Sequence, residues 1–108
     1  MEIEGRAAVD AAEGVYSVTG DDLRIMWDEG AGPLWSTGDG LLPDDPAWLS
    51  RALGLSDDLI AELLRWLRDK DTAHRFGQSS PQLDDRAEQL AGRLQSEVGP
   101  RFKVRYHP

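Results

Sequence analysis

Any chemistry on this chain has to start from very few groups. His74 and His107 are the only side chains whose ordinary pKa would let them act as bases near neutral pH. His74 falls in a polar stretch and His107 stands beside the C-terminus, so both read as solvated surface histidines. The chain contains no cysteine, which removes thiolate nucleophiles, thiolate zinc sites and disulfides together and suits a reducing compartment. No histidine pair has the spacing that would put two ligands on one helix face. Asp39, Asp44 and Asp45 lack the alternating ligand spacing of a calcium loop, and no glutamate closes the set. Gly30, Gly32, Gly38 and Gly40 superficially resemble a phosphate loop, yet no lysine follows and the aspartates among them would repel phosphate. Acids are plentiful enough for a glycosidase pair, but nothing selects one pair over another. The expectation is a protein that is not an enzyme and holds neither metal nor cofactor.

Binding residues are easier to find. Trp35 and Trp48 sit among the glycines, prolines and aspartates of the stretch GAGPLWSTGDGLLPDDPAWL, which begins at Gly30. Two roles are open to them. They could tuck back over the core, or one could be an interface anchor, because tryptophan is enriched at binding hot spots. The acids around them, Asp39, Asp44 and Asp45, and those that follow, Asp57, Asp58 and Glu62, would suit a basic partner.

The net charge of −8 is unevenly placed. Residues 1–20 carry four acids and one base, residues 21–72 twelve acids and five bases, and residues 73–108 four acids and six bases. An acidic body argues against binding nucleic acid or an anionic membrane, whose phosphates it would repel. No basic region followed by an apolar run opens the chain, and no apolar stretch is long enough to span a bilayer. A cytoplasmic protein with a protein partner is the expectation.

The elements that must position these residues follow from periodicity and punctuation. With 108 residues and 40% apolar side chains, the chain reads as one domain over 1–108 with a small core. Val15–Thr19 and Leu23–Trp27 alternate and flank the turn residues Gly20, Asp21 and Asp22, which predicts a hairpin whose second strand points Leu23, Ile25 and Trp27 inward. Residues 1–14 could supply a strand at Ile3 or an alanine-rich turn at Ala7–Ala12. From Asp28 to Asp45 no period is visible, which predicts a long loop. Asp45 as N-cap, Pro46 at the first helical position and Gly54 as terminator predict a short helix over Pro46–Leu53. Ser56 caps a second helix, with Asp57 and Asp58 in its first turn and Leu55 and Ile60 spaced as a hydrophobic staple. Leu59, Ile60, Leu63, Leu64, Trp66 and Leu67 form its apolar stripe, which ends near Lys70 before a polar linker over Asp71–Ser79. Ser80-Pro81 opens a third helix, with Leu83, Ala87, Leu90, Ala91, Leu94 and Val98 on one face, and Gly99-Pro100 stops it. Arg101–His107 alternates as a strand, with Phe102, Val104 and Tyr106 on one side. The predicted fold is α+β: a small antiparallel sheet, made of the N-terminal hairpin and the C-terminal strand, with about three helices on one face.

Three stretches, GPLW, LGLSDDLIAELLRWLRDKD and AEQLAGRLQSEVGPRFKVRYHP, together resemble a group of small acidic actinobacterial proteins. The resemblance covers roughly residues 23–107, and its motifs are mostly capping and core signals. Several members look like immunity proteins that sit beside secreted polymorphic toxins. The resemblance therefore implies an inhibitor of a toxin, with no catalytic residue to carry over. The chain departs from the group's pattern at DKD and the polar linker after it, where an extra aromatic residue is often seen. Together with the acidic body, this favours a non-enzymatic immunity-type protein that binds a basic toxin domain. The alternative is a small regulatory or scaffold module that docks in a larger complex.

Overall fold

A computed structural model describes residues 18–78 and 80–108. The alternatives for residues 1–14, and most of the strand expected over Val15–Thr19, lie outside the described residues; Val18 and Thr19 themselves carry no strand. The described elements run β1 (Asp22–Ile25), β2 (Leu34–Ser36), β3 (Gly40–Leu41), α1 (Pro46–Leu53), α2 (Asp57–Arg75), α3 (Pro81–Val98), a 3-10 turn at Gly99–Arg101, and β4 (Lys103–Tyr106). The strands form one sheet in the order β3-β2-β1-β4.

The α+β class is as expected, but the sheet is mixed and not wholly antiparallel. β4 joins β1 in parallel, with Asp22 opposite Lys103 and Ile25 opposite Tyr106. The antiparallel neighbour of β1 is β2, which comes from the stretch expected to be an irregular loop. A two-residue turn makes this pairing possible. Asp28 and Ala31 exchange both backbone hydrogen bonds, at 3.0 and 2.9 Å, and Glu29 and Gly30 between them have φ of 54° and 82°. Positive φ at both central residues matches the twist of adjoining strands, so this turn folds the chain back on itself. Gly32 then passes so close to the neighbouring strand that a Cβ there would lie 2.5 Å from the Met26 carbonyl oxygen. A three-residue turn closed by left-handed Gly40 leads from β2 to β3.

Leu23, Ile25, Leu34 and Ser36 are all buried and fall on one face of the sheet. That face meets Leu49, Leu53, Leu59, Leu63, Trp66, Leu90 and Leu94 in a single hydrophobic cluster. All six residues expected on the inner face of α3 are buried. Trp66 is completely buried, and its indole N–H donates to the Leu83 carbonyl at 2.9 Å, which satisfies the one polar atom it takes inside.

The helix ends follow their punctuation. Asp45 accepts from the Trp48 N–H at 2.9 Å and Ser56 from the Leu59 N–H at 3.2 Å. Gly54, at φ 72°, ends α1 with a bond from its N–H to the Ser50 carbonyl. α2 runs past Lys70 to Arg75, so most of the expected linker is helical. Nothing over Asp71–Arg75 breaks a helix; the stop is Gly77, at φ 64°. The Gly77 N–H reaches the His74 carbonyl at 3.1 Å and the Gln78 N–H reaches the Ala73 carbonyl at 2.8 Å, the paired bonds of a Schellman close. At the far end, Gln95 of α3 donates to the Phe102 carbonyl and accepts from the Val104 N–H, so its amide occupies the outer edge of β4.

Candidate functional site

The eight residues expected to bind a partner are divided between two places. Asp44 and Asp45 precede α1, and Trp48 lies in it; Asp57, Asp58 and Glu62 belong to the first turns of α2. Pro46 and Asp57 line one shallow groove with Ile60, Ala61, Leu64, Arg65 and Arg68, so the starts of the two helices are brought together. Asp44, Asp45, Asp57 and Asp58 are exposed there, and Glu62 is half-buried. Trp35 and Asp39 lie elsewhere, on the β2–β3 hairpin.

Several of the eight already have work inside the fold. Trp48 is 5% exposed and belongs to the core. Trp35 is half-buried, and its indole N–H donates to the Met26 carbonyl at 3.0 Å, which ties the two hairpin strands together. Asp45 caps α1. Asp39 accepts from the Thr19 N–H at 2.6 Å and from the Ser36 hydroxyl at 3.3 Å, so it fastens the hairpin tip to the segment before β1. Asp22 does similar work beside it, accepting from the Thr37 N–H and hydroxyl at 3.1 and 2.6 Å; the hydroxyl bond holds its carboxyl below the usual range. Asp58 pairs with Arg93 of α3 at 2.8 Å. Asp44, Asp57 and Glu62 keep their carboxylates most available.

Sequence reasoning missed a second site, at the other end of α2. The parallel strands β1 and β4 end together there, at Ile25 and Tyr106, beside the first turn of α3. Trp27, just past β1, is half-buried and packs against the edge of the core. Its indole N–H donates to Asp71, and the His74 ring leans against it at 4.7 Å between centroids, tilted 48°. Lys70 holds its ammonium 5.9 Å from the Trp27 ring centre and 6.0 Å from that of Trp66. Tyr106 packs edge-on against Trp66 at 6.0 Å, and its hydroxyl donates to Asp84 at 2.5 Å. Burial pushes the Tyr106 phenol well above its ordinary pKa, and the bond to Asp84 adds to that, so it stays a donor across the ordinary pH range. Between these side chains lies a cleft of about 220 Å³, floored by Ala73 and Leu83 and rimmed by Gln78, Ser80 and Asp84. The signal was present in the sequence: Trp66, Lys70 and His74 are spaced by four, one face of a helix, once α2 is carried to Gly77.

Among the described residues, no group of three or more histidines, aspartates or glutamates comes together to hold a metal ion. Nor is any described helix long and apolar enough to cross a membrane. No family model matches the chain, and neither a curated protein nor a solved structure matches it. The resemblance to immunity-type proteins rests on the quoted motifs alone.

Proposed function

We propose that this is a non-enzymatic binding protein that engages a basic protein partner through the adjoining starts of α1 and α2, and that its specific role is to neutralise a toxin in the cytoplasm. The observation that carries the reading is the groove itself. An apolar strip of Ile60, Ala61 and Leu64 runs past Pro46 and is edged by Asp57 and by Arg65 and Arg68, while the exposed acids Asp44 and Asp45 stand just before Pro46 in the chain. An apolar strip with a charged rim is the make-up of a recognition surface, the rim steering the encounter and the strip holding the complex. A chain with a net charge of −8 adds long-range attraction for a basic partner. Toxin inhibition is the form implied by the motif resemblance, and the lack of cysteine supports a reducing compartment.

The test is to look for a toxin-bearing reading frame beside the gene and, with that toxin domain, to measure association kinetics at low and moderate salt. Neutralising Asp44, Asp57 and Glu62 together, to Asn, Asn and Gln, should slow association and flatten its salt dependence while leaving dissociation nearly unchanged. Association insensitive to both salt and these substitutions would remove the reading. The second reading, a regulatory or scaffold module, is favoured by Phe76 and Leu41. They stand 65% and 46% exposed outside that groove, the conspicuous large apolar side chains on the described surface.

A further inference from the structure

The cleft at the C-terminal end of α2 differs from the rest of the surface in the state of its charges. Both acids that approach it are already engaged by neutral donors, Asp71 by the Trp27 indole and Asp84 by the Tyr106 hydroxyl. Lys70 is half-buried and makes no ion pair with any described residue; only the faces of two tryptophans attend its ammonium. Ring faces offset part of the cost of taking an ammonium out of water, but they leave its hydrogen-bond donors unused. His74, one turn further along the same helix face, adds a second potential donor, and Ser80 and Gln78 stand at the rim. The floor is apolar, with Ala73 and Leu83 beside the Trp27 indole.

We propose that this cleft binds a single carboxylate carried on a short apolar body. The carboxylate meets Lys70 and His74, and the body lies along Trp27 and Leu83. The size fits a small group: about 220 Å³ is below the span usual for drug-sized ligands. The charge fits a monoanion. Asp84 at the rim and the overall charge of −8 act against any anion, but more strongly against a phosphate dianion than against a carboxylate, whose single charge the Lys70 ammonium matches. The same chemistry can come from a free small acid or from the C-terminal residue of a partner peptide. The site lies at the opposite end of α2 from the groove at the helix starts, so it stands or falls independently of the toxin reading.

The experiment follows the indole N–H signals of the ¹⁵N-labelled full chain by NMR. The probes are phenylacetate, its neutral amide, inorganic phosphate, and the dipeptide Ala-Phe with a free or an amidated C-terminus. Phenylacetate should move the Trp27 signal with a millimolar-range dissociation constant, leave the core Trp48 signal still, and bind at least about tenfold more tightly than the amide, as one charge-assisted hydrogen bond would give. Lys70→Gln should weaken it by about tenfold and Lys70→Arg by much less, with an unchanged Trp48 signal reporting that each variant is folded. The free-ended dipeptide binding more tightly than phenylacetate would assign the site to a partner's C-terminus; the reverse order would assign it to a small acid. The proposal is overturned if acid and amide bind alike, if Lys70→Gln leaves affinity unchanged, if phosphate outcompetes phenylacetate, or if no probe moves the Trp27 signal.

Discussion

The two ends of α2 stand on one rod and one core, yet they present opposite chemistry. At the N-terminal end, carboxylates crowd beside the positive pole of the helix. Asp45 and Ser56 cap α1 and α2, and Asp57 and Asp58 lie in the first turn of α2. Glu97 of α3 braces this end as well, accepting from the Ser56 N–H and hydroxyl at 2.7 Å each. At the C-terminal end, a lysine, a histidine and an arginine face the negative pole. The acids beside them, Asp71 and Asp84, are tied to the Trp27 indole and the Tyr106 hydroxyl, while aromatic rings attend the lysine. Each end therefore suits the sign of its own helix terminus. Charge of that kind is explained by folding alone until some of it is left over. At the first end the surplus is Asp44, Asp57 and Glu62; at the second it is Lys70.

The strongest way to break the comparison is to remove what the two ends share. Leu63, fully buried in mid-helix, belongs to the cluster that also holds Leu90. Leu63→Ala and Leu90→Ala should each cost about 2–5 kcal/mol, as truncation of buried leucines does. Both ends should lose their binding together as the domain unfolds. Denaturant curves within about 0.5 kcal/mol of wild type for either variant would contradict the packing described.

How much of each end was legible in the sequence follows from how local its signals are. The capped end was readable because Asp45-Pro46, Gly54 and Ser56 act within a single turn. The face of α3 was readable because six apolar residues keep one period over its whole length. β2 and β3 were not readable. At three and two residues they are too short to alternate, and the turn that makes them a sheet uses Glu29-Gly30 in place of the usual Asn-Gly or Asp-Gly. The aromatic cleft was hidden for a related reason. The apolar stripe of α2 gives way to a polar face after Leu67, which reads as an ending, while the real stop is Gly77. Among the acids, the sequence could name Asp39 but not its hold on Thr19, a contact across twenty residues that only the folded hairpin brings about.

A milder test compares the caps. Asp45→Ala removes the acceptor for the Trp48 N–H and should cost about 1 kcal/mol. Gly77→Ala puts a Cβ at φ 64°, where nothing lies within 4 Å of it, so its cost should be purely conformational, also about 1 kcal/mol. The two should differ in place: amide exchange should quicken at the start of α1 in the first variant and over the last turn of α2 in the second. Uniform quickening in both would mean that the ends are not separable. Loss of phenylacetate binding in Asp45→Ala alone would mean the same.

The smallest expected effect sharpens the cleft end only. The Tyr106 hydroxyl bond to Asp84 is solvent-exposed, so Tyr106→Phe should cost at most about 1 kcal/mol at neutral pH, the net value of one hydrogen bond. Its pH dependence says more than its size. The folded state holds the phenolic proton more tightly than the unfolded chain does, because burial and the neighbouring carboxylate both penalise the phenolate. The stability this gives is therefore fully present below the ordinary tyrosine value of 10.0 and falls as pH climbs above it toward the raised folded value. Wild type should lose stability over that alkaline range more steeply than Tyr106→Phe, which has no proton there to release. Denaturant midpoints for the two proteins at stepped pH from neutral into that range measure the difference. Parallel curves would mean that the phenol titrates in the folded protein as it does in the unfolded chain. The bond to Asp84 would then be no restraint on that acid, and Asp84 would be free to pair with Lys70 across the cleft and compete with the carboxylate assigned to it.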